Sequence, residues 1–382
     1  MDARDGRPLS LVMLLSEAFG GQGGIAKFNR DFLGALVADG SRGRIANVLA
    51  LPRAVAPSID VSVPAGIAYE RAAAASGYDY LRCLMRLMAS RAPVDAVICG
   101  HINLLPMAWA LARVKRSPLT LIVHGYEAWT PPRRPLSRWL AARIDGLIAV
   151  SRHSAERFCA WSGYPRQHCF ILPNSVDLDR FRPAPRDARL AARYGLGNGP
   201  VLMTFGRMAA YERLAGVDKG FERLLALLPR LCERVPGLRC MIAGDGDDWP
   251  RLEALAAAQR FGDRVIFTGA VDEADKAALY NLADVFVLPS LGEGFGIVLI
   301  EAAACGLRIV GSSRDASREA LADGALGQLV DPHDADALFD ALVAALAQGR
   351  FSQRPAGLEQ FSSAAFEQRV GEWLGTTIGR TA

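Results

Sequence analysis

Short apolar runs alternating with helical patterns predict an α/β protein made of two doubly wound, Rossmann-like domains. Three observations carry that expectation. With 382 residues, the chain is too long for one ordinary core. Apolar runs of strand length recur in both halves, spaced far enough apart to admit a helix between them. Between the halves, the polar, proline- and arginine-rich stretch DLDRFRPAPRDARLAARYGLGNGP (177–200) interrupts the alternation and reads as a linker. The expected domains are 1–182 and 183–359, with the amphipathic C-terminal segment 360–382 packing back onto the first. Sheets of this kind bind ligands beyond the carboxyl ends of their strands, so a shared central cleft is the expected site.

In the first half the strand candidates are LSLVMLL (9–15), IANVLAL (45–51), AVICG (96–100), LTLIVH (119–124), GLIAVS (146–151) and CFILPN (169–174). Helical patterns fill gaps such as 24–38 and 79–91. The second half repeats the scheme with PVLMTFG (200–206), LRCMIAGDG (238–246), RVIFTGAV (264–271), DVFVLPS (284–290) and LRIVGSS (307–313). It closes on LVDPHDADALFDALVAALAQ (329–348), which carries an N-capped helix. No fixed short repeat is present; the doubling is architectural.

Composition excludes several classes. No uninterrupted apolar run approaches the roughly 20 residues that span a bilayer. The start, MDARDGRPLSLVMLLSEAFGG, has a short apolar run, mixed charge and no clean cleavage site, so it reads as a first buried strand rather than a signal peptide. Seven cysteines form no CxxC pair and read as reduced thiols of a cytoplasmic protein. The net charge of +4 is mild and does not point to nucleic acid. Basic residues cluster in RCLMRLMASR (82–91), RVKR (113–116) and PPRRPLSRWLAAR (131–143). These are read either as solvated helix faces or, with Leu136, Trp139 and Leu140 beside the arginines, as a surface that rests on anionic lipid at the inner face of the cytoplasmic membrane.

The richest stretch is LGEGFGIVLIEAAACG (291–306), which follows a buried strand. A helix beginning near Phe295 or Gly296 offers unpaired N–H groups to a diphosphate. Gly292, Gly294 and Gly296 keep the approach open. Glu293 precedes that helix, and Glu301 lies about one and a half turns inside it. Carboxylates suit vicinal hydroxyls, since each accepts two hydrogen bonds. A sugar nucleotide answers both features, with phosphates on the amides and hydroxyls on the acids. GGQGGIAKF (20–28) also contains a G-x-G-x-x-A match to the dinucleotide-binding fingerprint. That reading needs an acid after the second strand, where Pro52 and Arg53 stand instead.

The Glu-x7-Glu spacing in EGFGIVLIEAAACG resembles the retaining glycosyltransferases of family GT4, which have the GT-B fold. GGIAKF (23–28), HGYEAW (124–129), IAVSRHSAERF (148–158), LPNSVDLDRF (172–181), GRM…DKGFERLL (206–225) and IAGDGDDWPRLE (242–253) extend the resemblance over most of the chain. The resemblance implies that Glu293 contacts the donor sugar's hydroxyls and Glu301 the ribose. Amides of Phe295, Gly296, Ile297 and Val298 would bind phosphate. Gly23 and Gly24 would lie against the donor phosphate and the acceptor's entry path, and His124 near the donor sugar. Backbone from Gly269 to Val271 is expected at the base.

Arg207 and Lys219 are the expected cations at the leaving diphosphate, where preorganised charge is usually the largest catalytic term. AAYERLAGVD lengthens the usual spacing between them, which leaves Arg213 as an alternative to Lys219. Glu127 is expected to orient His124 or to meet the acceptor, and His101 either packs in the core or meets the acceptor. Asp245 and Asp247 resemble a metal-binding triplet, but turn and cap chemistry accounts for them. No metal or other cofactor is expected.

The implied function is transfer of a hexose, with retention, from a UDP- or GDP-sugar to a glycan or lipid-linked saccharide in cell-surface polysaccharide synthesis. A non-catalytic nucleotide-sugar-binding subunit and a nucleotide-sugar epimerase of the same fold are the alternatives.

Overall fold

The computed structural model describes residues 7–40, 43–54 and 63–378. The chain forms two compact units. One holds the residues up to Ser175 together with those from Ser363 onward; the other is Val176–Ser362. The limits expected from the sequence were 182 and 359.

The first unit contains a seven-stranded sheet: β1 (Leu9–Leu15), β2 (Ile45–Pro52), β3 (Ile67–Tyr69), β4 (Ala96–Cys99), β5 (Leu119–Val123), β6 (Gly146–Ala149) and β7 (Cys169–Ile171). Its order is β3-β2-β1-β4-β5-β6-β7, and every pairing is parallel. Parallel strands covered by helices on both faces are apolar throughout rather than alternating. All residues of β4, β5 and β6 are accordingly buried.

The second unit contains β8 (Val201–Phe205), β9 (Arg239–Ala243), β10 (Val265–Phe267), β11 (Val285–Leu288), β12 (Arg308–Ser312) and β13 (Gln328–Val330). The order is β10-β9-β8-β11-β12-β13, again all parallel. Val176 and Ser362 form a parallel bridge, so the chain enters and leaves this unit side by side.

Each sheet reverses its winding direction once, beside its own first strand: between β1 and β4, and between β8 and β11. Such switch points leave a crevice at the carboxyl ends of the strands. The loops holding Gly23 and His101 follow β1 and β4. Those holding Arg207 and Glu293 follow β8 and β11.

Two expectations change. The stretch 177–200 is part of the second unit rather than a free linker: Asp187 caps the helix Ala188–Arg193, Arg186 pairs with Asp284, and Ala184 N–H donates to Asn281 Oδ1. The three-residue edge strands β3 and β13 were not anticipated, whereas β7 and β10, equally short edge strands, lie within longer apolar runs that were.

The final helix, Ser363–Ile378, packs on Gly24–Gly40 within the first unit. Phe28 meets Phe366, and Phe32 meets Trp373, each pair with ring centroids 5.5 Å apart. Residues 379–382 of the expected C-terminal segment, and 1–6 of the expected start, lie outside the described residues. None of the described helices is long and apolar enough to cross a membrane.

Candidate functional site

In the second unit, two loops that are distant in sequence are locked together past the end of β11. Leu291 N–H donates to Asp218 O, and Arg223 bonds both Asp218 and Pro289 O. Glycine is required on both sides of this contact. A Cβ at Gly220, whose φ is +82°, would lie 2.2 Å from Pro289 O. One at Gly292 would lie 2.2 Å from Val217 O. Backbone approach this close has no room for a side chain.

The consequence is that Lys219 meets Glu293. Nζ donates to Oε1 at 2.6 Å, with the two side chains 18% and 12% exposed, so this pair is largely withdrawn from water. Burial alone would lower the Lys219 pKa, but the carboxylates of Glu293 and Glu212 outweigh it and hold the ammonium above its ordinary value.

Asp315, beyond β12, completes the arrangement and was missed in the sequence. It is buried, accepts from Ser290 Oγ at 2.7 Å and Glu293 N–H at 2.9 Å through Oδ2, and from Ser317 N–H at 3.0 Å through Oδ1. It thereby fixes the backbone of the residue that holds Lys219. An acid just after the strand next to β11 was the only available signal.

Arg207 lies after β8 and bonds Glu212 Oε1 at 2.5 Å and the Tyr211 hydroxyl. Both partners belong to the short helix Ala210–Leu214, part of the lengthened AAYERLAGVD segment. Arg213 faces elsewhere, 3.4 Å from Asp248 and 3.9 Å from Glu222. Of the two alternatives, Lys219 is the cation that reaches Glu293.

The helix after β11 runs Ile297–Ala304, with Gly296 as its N-cap at φ +95°. At its first turn Leu299 N–H donates to Gly296 O, which leaves the Ile297 and Val298 amides, with the helix dipole, to favour an anion. Phe295 is buried, whereas Ile297 and Val298 are half-buried at the start of this helix. Glu301 differs from the open carboxylate expected of a ribose contact. It is 0% exposed, accepts from Tyr280 Oη at 2.9 Å, and has Lys276 Nζ 4.0 Å away. Contact with a ligand there requires the side chains above Glu301 to shift. Lys276 and Tyr280 carried no sequence signal, because they arrive from the preceding helix.

Val271 is half-buried after β10, and Gly269 O accepts from Gly244 N–H, which ties this loop to the end of β9. Asp245 and Asp247 serve the backbone, accepting from Gly246 N–H and Ala210 N–H respectively. Among the described residues, no group of three or more His, Cys, Asp or Glu side chains could hold a metal ion.

In the first unit, Gly23 takes φ +87° immediately before the helix that starts at Gly24. His124 follows β5 and is buried, edge-on to Phe28. Its Nε2 lies 3.0 Å from Gly100 O. A carbonyl can only accept, so Nε2 carries the proton there and Nδ1, in the neutral ring, is an acceptor. Burial pushes the His124 pKa down, against Glu127, which raises it. Donation from Nε2 to a sugar hydroxyl therefore requires the Gly100 bond to open.

Glu127 holds the backbone rather than the ring, accepting from the His124 and Gly125 N–H groups at 2.7 and 3.1 Å. His101 uses Nδ1 to accept from Asn103 N–H, capping a short turn after β4.

Burial, reinforced by Glu293, pushes the Asp315 carboxyl up to about 6 from an ordinary 3.8. A carboxyl raised on folding stabilises the native state while protonated. That contribution is complete below pH ~4 and lost as pH rises through ~6. Urea denaturation of wild type and Asp315→Asn between these limits should show the wild type losing on the order of 2–3 kcal/mol relative to the variant. A difference between them that stays constant with pH would refute the assignment.

Comparison with known proteins identifies the family. Residues 22–180 match the family described as Glycosyltransferase Family 4, and 199–348 match Glycosyl transferases group 1. The chain is 33% identical over 309 residues to the GDP-mannose-dependent alpha-(1-6)-phosphatidylinositol monomannoside mannosyltransferase of Mycolicibacterium smegmatis, covering 74% of this chain and 78% of that one. It is 30% identical over 360 residues to the protein of the same name from Mycobacterium tuberculosis, covering 87% and 88%. Among solved structures, Anabaena HepE in complex with UDP and glucose superposes with a TM-score of 0.71 at 20% identity, over 96% of this chain and 100% of that one. WaaG, a glycosyltransferase involved in lipopolysaccharide biosynthesis, does so at 0.63 and 17%, over 96% and 95%. On these grounds the chain belongs to glycosyltransferase family 4 and has the GT-B fold.

Proposed function

We propose that the protein transfers a mannosyl residue, with retention, from GDP-mannose to a hydroxyl of a lipid-linked saccharide or glycolipid in cell-surface glycan synthesis. The observation that carries this reading is the Lys219–Glu293 contact at the β8/β11 switch point, beside the amides of the Ile297–Ala304 helix. It brings a phosphate-binding cation and a hydroxyl-binding carboxylate to one place. The relatives named for GDP-mannose and a phosphatidylinositol mannoside support the choice of donor and acceptor.

In this reading the diphosphate accepts from the first-turn amides and from Lys219 and Arg207, which leaves Glu293 to accept from sugar hydroxyls. Glu301 meets the ribose once uncovered, and Gly23, Gly24 and His124 keep the roles that the family resemblance implies. The bond between the anomeric carbon and phosphate oxygen breaks as the acceptor oxygen bonds to the same face. The acceptor's proton passes to the departing phosphate. Arg207 and Lys219 stabilise the charge that develops on this leaving group, so the reading assigns no metal to the step.

Screening GDP- and UDP-sugars for transfer and slow donor hydrolysis tests the activity and identifies the base. Glu293→Ala and Lys219→Ala should each lower turnover at least about tenfold in a folded protein, as loss of a transition-state contact does. Binding of GDP-mannose with no turnover on any acceptor or water would favour the non-catalytic subunit.

We further propose that the first unit rests on anionic lipid. Among the described residues, the large apolar side chains exposed on this unit are Tyr78, Leu81, Met85, Val114, Leu136 and Trp139. All lie on three neighbouring helices, Gly77–Ala89, Leu105–Lys115 and Pro135–Ala141. Residues 77–143 carry ten basic against three acidic side chains, a net charge of +7 within a chain of +4. Apolar groups beside arginine suit an interfacial seat, and each basic group near an anionic surface adds about 1 kcal/mol. Flotation with anionic vesicles should fall when Arg133, Arg134 and Arg138 are replaced by serine; unchanged flotation would remove this part of the reading.

A further inference from the structure

We propose that Glu212 is a built-in counter-anion, standing where the donor's phosphates must go, and that its displacement lowers the affinity of the site for phosphate-bearing ligands. This rests on the reading of Arg207 and Lys219 as the phosphate cations. The lengthened segment between them supplies the residue. Glu212 sits on the Ala210–Leu214 helix and its side chain is 12% exposed. Oε1 accepts from Arg207 Nη2 at 2.5 Å and from Tyr211 Oη at 3.1 Å. Its other oxygen, Oε2, is buried and accepts no hydrogen bond among the described residues.

The carboxylate is presented by a fixed turn, not a loose arm. Ala210 N–H donates to Asp247 Oδ1 at 2.9 Å, and Val217 N–H donates to Glu212 O at 3.0 Å. The same carboxylate acts on the Lys219 ammonium, second only to Glu293 among the acids there. Both cations therefore already have an acid: Lys219 has Glu293, and Arg207 has Glu212.

The two acids fare differently when phosphate arrives. Glu293 moves from Lys219 to the sugar hydroxyls and keeps hydrogen-bond partners. Glu212 gains no ligand group in exchange, so its displacement opposes binding. The cost falls on any ligand whose phosphate takes Arg207.

The test is calorimetric titration of wild type and Glu212→Gln with GDP, UDP, their monophosphates and inorganic pyrophosphate, at low and moderate salt, with thermal melting to verify folding. The glutamine retains the shape and removes the charge. Arg207 is 62% exposed, so solvent screens the pair and the gain is modest. The variant should bind the preferred nucleoside diphosphate about fivefold tighter. Unchanged or weaker binding of the preferred nucleoside diphosphate by the variant would overturn the proposal while leaving the donor site standing. A wild-type protein that binds no nucleotide at all would instead overturn the donor-site reading, and this proposal with it.

Discussion

A single buried ion pair organises the second unit's site. Lys219 and Glu293 are 74 residues apart, and no local preference brings them together. What does is backbone against backbone at two glycines, Gly220 and Gly292, with Asp218 and Arg223 fastening the loops from behind. A pair so withdrawn from water gains little net stability, because desolvating both charges offsets most of their attraction. Breaking one side of it leaves the other uncompensated. In the proposed reading, an incoming anion satisfies Lys219 while hydroxyls satisfy Glu293, and neither penalty is met.

The sheets explain why these groups gather where they do. Parallel strands must be joined by crossovers, and winding in both directions from the first strand leaves one gap uncovered. In the second unit that gap lies between β8 and β11, and Arg207 and Glu293 are carried by the loops that border it. In the first unit the loops after β1 and β4 carry Gly23 and His101, and the neighbouring strand end carries His124. Rigid buried strands thus hold polar residues that would be costly anywhere else in these cores.

Much of this was legible in the sequence. β4 and β11 read as strands because burial on both faces demands unbroken apolar runs, and the helix after β11 was marked by Gly296 and the spacing of Glu293 to Glu301. Less visible was anything decided by what packs above a residue. Helical spacing locates Glu301 along its helix, but its burial depends on Tyr280 and Lys276, which come from another element. His124 is at the expected strand end, yet its proton is engaged by Gly100, a backbone group that no side-chain pattern records. Asp315 stayed hidden because a single acid after a strand has many ordinary uses. The lengthened segment before Lys219 is visible as a departure in spacing; only coordinates reveal that it delivers Glu212 to Arg207.

In the proposed reading, donor binding at this site turns on Lys219 changing partners. A crystal structure of the protein bound to GDP-mannose, or to an unreactive analogue, observes this directly. The expected result is Lys219 Nζ within hydrogen-bond distance of a phosphate oxygen, with the Glu293 carboxylate turned onto the sugar. A complex in which Lys219 and Glu293 remain paired while the diphosphate binds elsewhere would contradict it.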